Sequence, residues 1–273
     1  MTALSPRAAV PFYVCGPERF LHIEAFQGTA QGASGTMRTG PWVCDGTGTP
    51  SPGTLGILAD SLWNSAAITC RPGATWGVAT ELSLSFGARL PADGSLLTAH
   101  AAVTFHDERC AVAVGSITTA DGRALVNGTT RTRFVPGIAE PDPVPLPADD
   151  PGAAGIVEWL GLAFSPDGRT AQMDATVSFA NPARNVHGGV LFCASELTAS
   201  RAVAANTNGL TVSSMTILYL RGVPIGERLA YAVEVVHRGR TSAAASVRCH
   251  RADGRTAALA TVNFGPAAGE GRP

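Results

Sequence analysis

The stretch of sequence richest in residues that could take part in a reaction runs from Asn181 to Glu196. It contains a His-Gly-Gly motif at residues 187–189. The two glycines stand where a helix is expected to begin, so their backbone N–H groups have no partner within the helix and lie at its positive end. Because glycine has no side chain, a ligand can come close to these N–H groups. They would polarise a bound carbonyl oxygen and stabilise the negative charge that forms on it during nucleophilic attack.

Three polar side chains accompany the glycines and could take part in such an attack. A carboxylate at Glu196 could act as a general base or as a nucleophile, and the amide of Asn181 could orient a water molecule or the substrate. His187, directly before the glycines, is expected to hold the turn through hydrogen bonds rather than to transfer protons. Taken alone, a His-Gly-Gly motif also fits a tight turn before a helix that has no catalytic role.

The chain contains an internal repeat, in which the second half matches the first in the order and type of its features. Residues 37–60 align without gaps with residues 173–196 at a constant offset of 136, and later runs align at offsets of 133 and 132. Within this alignment the corresponding residues are Asp45 and Asn181, Ser51-Pro52-Gly53 and His187-Gly188-Gly189, Asp60 and Glu196, and Phe86 and Tyr219. Self-similarity on this scale predicts two copies of one fold.

Each copy predicts one long helix and several β-rich runs, which places the chain in the α+β class. A strand-like opening at residues 20–26 and 158–164 comes first, and the long helices are expected over residues 54–70 and 190–205. The β-rich runs span residues 78–86, 95–106, 111–119 and 125–134 in the first copy, and 211–220, 228–237, 242–251 and 257–264 in the second. The predicted domains cover residues 1–135 and 156–265, separated by a proline-rich linker at 136–155 and followed by a tail at 266–273.

The composition excludes several classes of protein. The 273 residues carry a formal net charge of −1 and include no lysine, so the chain lacks both the positive field that binds nucleic acid and the amine that Schiff-base chemistry needs. No apolar run approaches the ~20 residues of a membrane helix, and the six cysteines show no metal-ligand spacing. These features predict a cytoplasmic protein without a metal, a membrane anchor or a nucleic-acid partner.

The pattern N-P-x4-H-G-G-x6-[D/E] at residues 181–196, followed by the run 211–219, Gly226 and the Arg238-Gly239-Arg240 turn, resembles hotdog-fold acyl-CoA thioesterases of the phenylacetate-pathway type. The resemblance covers about residues 158–264, and the first half resembles the same fold with a degraded signature. It implies a double hotdog, two copies of a long helix wrapped by a curved antiparallel β-sheet, that hydrolyses an acyl-CoA or acyl-carrier-protein thioester. It also implies that coenzyme A is part of the substrate rather than a cofactor, and that the chains form a homo-oligomer.

In that family the functional residues are the asparagine, the first glycine after the histidine and the helix carboxylate, which correspond here to Asn181, Gly188 and the acid at Asp60 or Glu196. Glu196 lies eight residues after Gly188, about 12 Å along the same helix, so it cannot easily reach a carbonyl bound at that glycine. A second helix running antiparallel beside the first would bring Asp60 there instead. The predicted catalytic residues are therefore Asp60, Asn181, His187 and Gly188, and the predicted substrate-binding residues are Gly189, Arg221, Arg238 and Arg240, the arginines for the phosphates of coenzyme A.

A mirror-image second site would combine Asp45 with Glu196 and is expected to be weak or inert. Pro52 replaces Gly188 there and has no backbone N–H to donate. The Asp45 carboxylate would also add negative charge where an oxyanion develops.

Two other functions stay open on the sequence alone. A hotdog dehydratase or hydratase would depend on His187 as a catalytic group working with an acid. A non-catalytic module would bind acyl thioesters without releasing a free thiol. The sequence also leaves open which acyl group is bound, whether coenzyme A or a carrier protein presents it, and whether the acid acts as a base or as a nucleophile.

Overall fold

The computed structural model of the chain describes residues 12–29, 32–136, 154–204 and 209–266. The linker predicted at residues 136–155 and the tail predicted at 266–273 lie almost entirely outside these ranges, so the domain boundaries stay predictions.

Within these ranges each half contains a short α-helix, a long α-helix, one 3₁₀ turn and six strands, and the predicted α+β class is confirmed. The first half consists of α1 (Gly16–Phe20), β1 (Ile23–Thr29), β2 (Gly32–Arg38), α2 (Thr54–Ile68), β3 (Thr75–Phe86), β4 (Leu96–His106), β5 (Cys110–Thr119) and β6 (Ala124–Pro136). The second half consists of α3 (Ile156–Leu160), β7 (Ala163–Phe164), β8 (Thr170–Asp174), α4 (Gly188–Ala204), β9 (Leu210–Tyr219), β10 (Arg228–Arg238), β11 (Ala243–His250) and β12 (Thr256–Pro266).

The two strand-like openings predicted from the sequence are wrong in their first residues, which form α1 and α3 instead of extended chain. In α3 the buried residues are Ile156 and Leu160, whose i, i+4 spacing places both on one face of a helix rather than on opposite faces of a strand. Gly161 then ends this helix in the left-handed region, at φ 59°, which glycine adopts without steric cost. Two buried apolar residues and a glycine are too short a pattern for periodicity to distinguish a helix from a strand.

All twelve strands join one antiparallel sheet, in the order β1-β2-β4-β5-β6-β3-β9-β12-β11-β10-β8-β7. The halves meet edge to edge where β3 pairs with β9, in a register that places Leu84 opposite Met215. At this seam the hydroxyls of Ser83 and Thr216 lie 2.9 Å apart. The seam therefore makes one continuous sheet from the two copies and fixes where their helices lie relative to each other.

The long helices α2 and α4 pack against each other and against the sheet. Nearly every side chain of both helices is buried, because each helix faces the strands of its own half on one side and the other helix beside it. Added methyl groups on Gly53, Gly56 and Gly189 would meet Cys193, Phe192 and Ile57 respectively, so the two helices run antiparallel. Glycine at these crossing points lets the two backbones come close.

Among the described helices, none combines the length and the apolar composition that a membrane-spanning segment requires.

The close crossing of α2 and α4 predicts that Gly189→Ala destabilises the protein. The added Cβ would lie 2.4 Å from the Cα of Ile57, which is backbone and cannot rotate away, so the helices have to separate. We expect a loss of about 1–3 kcal/mol in the free energy of unfolding, as for overpacked cores. Urea denaturation measures it.

Gly46→Ala is the matched control, because a Cβ at Gly46 meets no atom within 4 Å. It should change the free energy of unfolding by no more than about 0.5 kcal/mol. Equal stability of the two variants would contradict a tight helix crossing.

Candidate functional site

A cavity of about 340 Å³ lies at the N-terminal end of α4 and is lined by both halves of the chain. Strands β3 and β6, the middle of α2 and the segment before α1 form one side, and the loop 181–187 with the end of β9 forms the other. Of the predicted site residues, the cavity is lined by Asp60, Asn181, His187, Gly188 and Arg221. Neither half on its own could form this cavity.

Asp60 projects from α2 onto the first turn of α4. Its Oδ2 atom accepts a hydrogen bond from the backbone N–H of Gly189 at 3.0 Å. Gly188 is so close that a Cβ on it would lie 2.7 Å from the same oxygen, which explains why only glycine fits there. The other oxygen, Oδ1, is buried and has no hydrogen-bond partner among the described residues. One carboxylate oxygen is thus held in place and the other is left without a hydrogen-bond partner.

His187 links Asp60 to Glu18, a buried acid on α1. The Nε2 atom of His187 lies 3.1 Å from Glu18 Oε1, and its Nδ1 lies 3.3 Å from Asp60 Oδ2. Glu18 also accepts hydrogen bonds from the Ser61 hydroxyl at 2.7 Å and from the backbone N–H of Cys15 at 3.0 Å. The imidazole is therefore held between two carboxylates that come from different elements of the first half.

These contacts shift the pKa of all three groups. Burial raises the pKa of Asp60, against the opposing effect of the His187 charge and the Gly189 N–H. Burial by itself would lower the pKa of His187, but the charge and hydrogen bond of Glu18, with the charge of Asp60, raise it overall. Burial would likewise raise the pKa of Glu18, and the charge and hydrogen bond of His187 lower it below its usual value. The network therefore couples the titration of His187 to that of Glu18.

Gly188 and Asn181 complete the group that the sequence predicted. Gly188 is the first residue of α4, and no acceptor for its N–H is found in the described parts of the chain. The Oδ1 atom of Asn181 accepts the backbone N–H of Asn185 at 3.1 Å, so this side chain shapes the loop as well as lining the cavity. The structure brings Asp60, Asn181, His187 and Gly188 to one place.

The three predicted arginines lie in different places. Arg221 lines the cavity and donates to the carbonyl of Thr256 at 2.7 Å. Arg238 instead donates to the carbonyl of Ala202 near the opposite end of α4, about 21 Å along the helix from Gly188. Arg240 is exposed, and neither it nor Arg238 lines this cavity. Arg133, on β6, does line it and was not singled out from the sequence.

The mirror-image position at the start of α2 is arranged differently. Both oxygens of Glu196 are occupied there, by the hydroxyls of Ser51 and Ser200 at 2.5 Å each and by the N–H of Gly53 at 3.3 Å. Asp45 accepts hydrogen bonds from Thr47 and Thr49 within its own loop, which makes it a turn-forming residue. Glu196 thus has a satisfied carboxylate where Asp60 has an open one.

Besides Arg133, sequence reasoning missed Glu18 and Tyr219, which also line the cavity. Glu18 follows Cys15 by three residues and Pro17 by one, a pattern typical of a helix start, so its helix was detectable but its contact with His187 was not. Tyr219 was aligned with Phe86, and the hydroxyl that distinguishes the two side chains was the available signal. Within the described chain, no group of three or more His, Cys, Asp or Glu side chains is arranged to hold a metal ion.

In sequence, the model of the thioesterase superfamily matches residues 183–258, which begin in the cavity loop and end in β12. No curated protein matches the chain in sequence.

In structure, the chain is similar to solved thioesterases over nearly its whole length. A candidate thioesterase II from Thermobifida fusca is 15% identical, with a TM-score of 0.62 and coverage of 95% of this chain and 99% of that one. An acyl-CoA thioesterase II from Mycobacterium marinum is 13% identical, with a TM-score of 0.59 and coverage of 94% and 99%. The 12:0-ACP thioesterase from Umbellularia californica is 12% identical, with a TM-score of 0.57 and coverage of 86% and 97%. At these identities the similarity concerns the fold.

The buried network predicts that Glu18→Gln lowers the pKa of His187. The substitution removes the charge that raises this pKa, so the effect of burial then dominates. We expect a fall of at least about one unit, as for loss of a neighbouring opposite charge, measured by NMR titration of the imidazole.

Because the pKa of His187 is raised on folding, the contribution of its charge to the free energy of unfolding is present below pH 6.5 and is lost as the pH rises through the folded-state pKa. The destabilisation caused by Glu18→Gln should shrink over the same range.

Glu158→Gln is the matched control, since Glu158 is the third residue of α3 as Glu18 is of α1, but is exposed. It should leave the His187 titration unchanged. An unaltered pKa in Glu18→Gln would contradict the coupling.

Proposed function

We propose that the chain is a double-hotdog thioester hydrolase of the thioesterase superfamily, and that it hydrolyses an acyl-CoA or acyl-carrier-protein thioester at a composite site between its two halves. The observation that carries this proposal is the unpaired Oδ1 atom of Asp60, beside the first turn of the helix from the other half. The site is incomplete in either half because the acid and the N–H donor come from different copies.

In the proposed reaction the thioester carbonyl oxygen accepts a hydrogen bond from the Gly188 N–H, which polarises the carbonyl and stabilises the oxyanion. Asp60 then acts in one of two ways. As a base it takes a proton from water while the water oxygen bonds to the carbonyl carbon; as a nucleophile it bonds to that carbon directly and forms an anhydride, which water hydrolyses. In both routes the C–S bond breaks, and the products are the free acid and the thiol.

The surrounding residues support this reaction by position and charge. The Oδ2 atom of Asp60 is contacted by His187 on one side and by the backbone N–H of Gly189 on the other, so the carboxylate cannot rotate freely. Arg133 and Arg221, one from each half, line the cavity and can meet the phosphates of a coenzyme A or phosphopantetheine group. Assembly of the chains into a homo-oligomer is part of the same proposal.

The arrangement of His187 does not favour a dehydratase or hydratase. Its Nε2 faces Glu18 and Ser61, and its Nδ1 faces Asp60 and the Gly189 N–H. A histidine engaged at both ring nitrogens has none left to take a proton from a substrate. His187 is therefore assigned to holding the loop and the acid.

Asp60→Asn tests the proposal directly. An amide cannot accept the proton of water or form an anhydride, so thiol release should fall by about 10²- to 10⁴-fold, as when a general base is lost. The assay follows free thiol from aryl, short-chain and long-chain acyl-CoA substrates, and from the corresponding acyl-carrier proteins.

Glu196→Gln provides the comparison at the mirror-image position. Because both oxygens of Glu196 are already hydrogen-bonded, we expect turnover to be retained, with thermal melting used to confirm folding. The reverse ranking of the two variants would refute the assignment of Asp60. Binding of acyl-CoA without thiol release by the unmodified protein would refute hydrolysis itself.

A further inference from the structure

Tyr219 has a buried hydroxyl without a hydrogen-bond partner, and it lines the cavity. Among the described residues, four buried side-chain polar atoms lack a partner: Asp60 Oδ1, Trp63 Nε1, and the hydroxyls of Tyr219 and Tyr231. Asp60 and Tyr219 line the cavity, whereas Trp63 and Tyr231 are core residues that do not. A buried polar group with no partner is costly, so two of them beside one cavity point to something that binds both.

Both side chains lie against Gly188, where the cavity begins. A Cβ built on Gly188 would lie 3.1 Å from Asp60 Oδ1 and also 3.1 Å from Tyr219 Cζ, the carbon that bears the hydroxyl. Tyr219 is the last residue of β9, next to the seam with β3, so the sheet fixes its position. Asp60 is fixed by the Gly189 N–H on its other oxygen.

The hydrogen-bonding capacities of the two groups are those that a water molecule needs. A carboxylate oxygen accepts a proton, and a phenol donates one. Burial and the charge of Asp60 raise the pKa of Tyr219 well above its usual value, so the phenol keeps its proton. Buried waters occupy places where otherwise unpaired polar groups converge.

The mirror-image position lacks both features. Phe86 stands where Tyr219 stands in the second copy and has no hydroxyl. The Glu196 carboxylate has both oxygens occupied by Ser51, Gly53 and Ser200. Only one of the two equivalent positions therefore offers an unpaired donor beside an unpaired acceptor.

We propose that Tyr219 is a catalytic residue, whose hydroxyl holds the hydrolytic water together with Oδ1 of Asp60. This inference rests on the proposed thioester hydrolysis and favours the route in which Asp60 is the base. The water accepts a hydrogen bond from Tyr219, and its oxygen bonds to the thioester carbonyl carbon while one of its protons passes to Asp60 Oδ1. The carbonyl electron pair moves to the oxygen at the Gly188 N–H and returns as the C–S bond breaks, and the departing thiolate takes the proton from Asp60. Tyr219 keeps its own proton throughout.

Tyr219→Phe tests the assignment by removing one oxygen atom and little else. We expect kcat to fall on the order of 100-fold, as for loss of one positioned hydrogen-bond donor, with KM changed by less than about twofold. Tyr231→Phe is the matched control, because it removes an equally buried hydroxyl from the core of the second half, away from the cavity. It should leave kcat unchanged.

A structural readout separates this inference from the proposed function. Crystal structures of the unmodified protein should show a water within hydrogen-bonding distance of both Asp60 Oδ1 and the Tyr219 hydroxyl, and Tyr219→Phe should lose it. If the unmodified protein released no thiol but showed this water, hydrolysis would fail and the water site would stand. Absence of the water, or an unchanged kcat in a folded Tyr219→Phe variant, would overturn the role of Tyr219.

Discussion

The rest of the structure depends on the close antiparallel contact between α2 and α4. Glycines at the crossing let the helices approach so closely that a methyl group on Gly189 would collide with the backbone at Ile57. This approach brings an acid in the middle of one helix to the first turn of the other, where unpaired N–H groups and the positive end of the helix lie. The pairing of β3 with β9 fixes the same relationship from the sheet side. The position of the cavity and of the residues that line it follows from these two contacts.

The same contact between a carboxylate and a glycine N–H occurs at both ends of the helix pair, but the other hydrogen bonds of the carboxylate differ between the two copies. A buried carboxylate accepts the N–H of a glycine at the start of the opposite helix in each case, Asp60 from Gly189 and Glu196 from Gly53. The difference lies in the remaining oxygen, which accepts the Ser200 hydroxyl on Glu196 and has no partner in the described chain on Asp60. The two ends of the helix pair therefore differ in one respect, which is that only Asp60 keeps a carboxylate oxygen without a partner among the described residues.

A short helix that precedes the first strand adds the electrostatic part of the site. Glu18 on α1 places a second buried carboxylate against His187, so the imidazole has an acid on each side. The charge of His187 lowers the pKa of Glu18 and limits the rise that burial imposes on Asp60. Burial of three ionisable groups is tolerated because each charge has an opposite charge or a hydrogen-bond donor beside it.

The sequence by itself determined the duplication, the α+β class, both long helices and the eight long β-rich runs, because these depend on local periodicity and turn residues. It also predicted that Asp60 belongs with Gly188, since eight residues of helix separate Glu196 from that glycine. Only the tertiary structure decided which carboxylate oxygen is open, that Glu18 holds His187, and that Tyr219 faces Asp60. The tertiary structure also showed that Arg221 and Arg238 lie in different parts of the second half. These features are contacts between residues distant in the chain, and their distances follow from the helix crossing and the strand register, which local sequence does not encode.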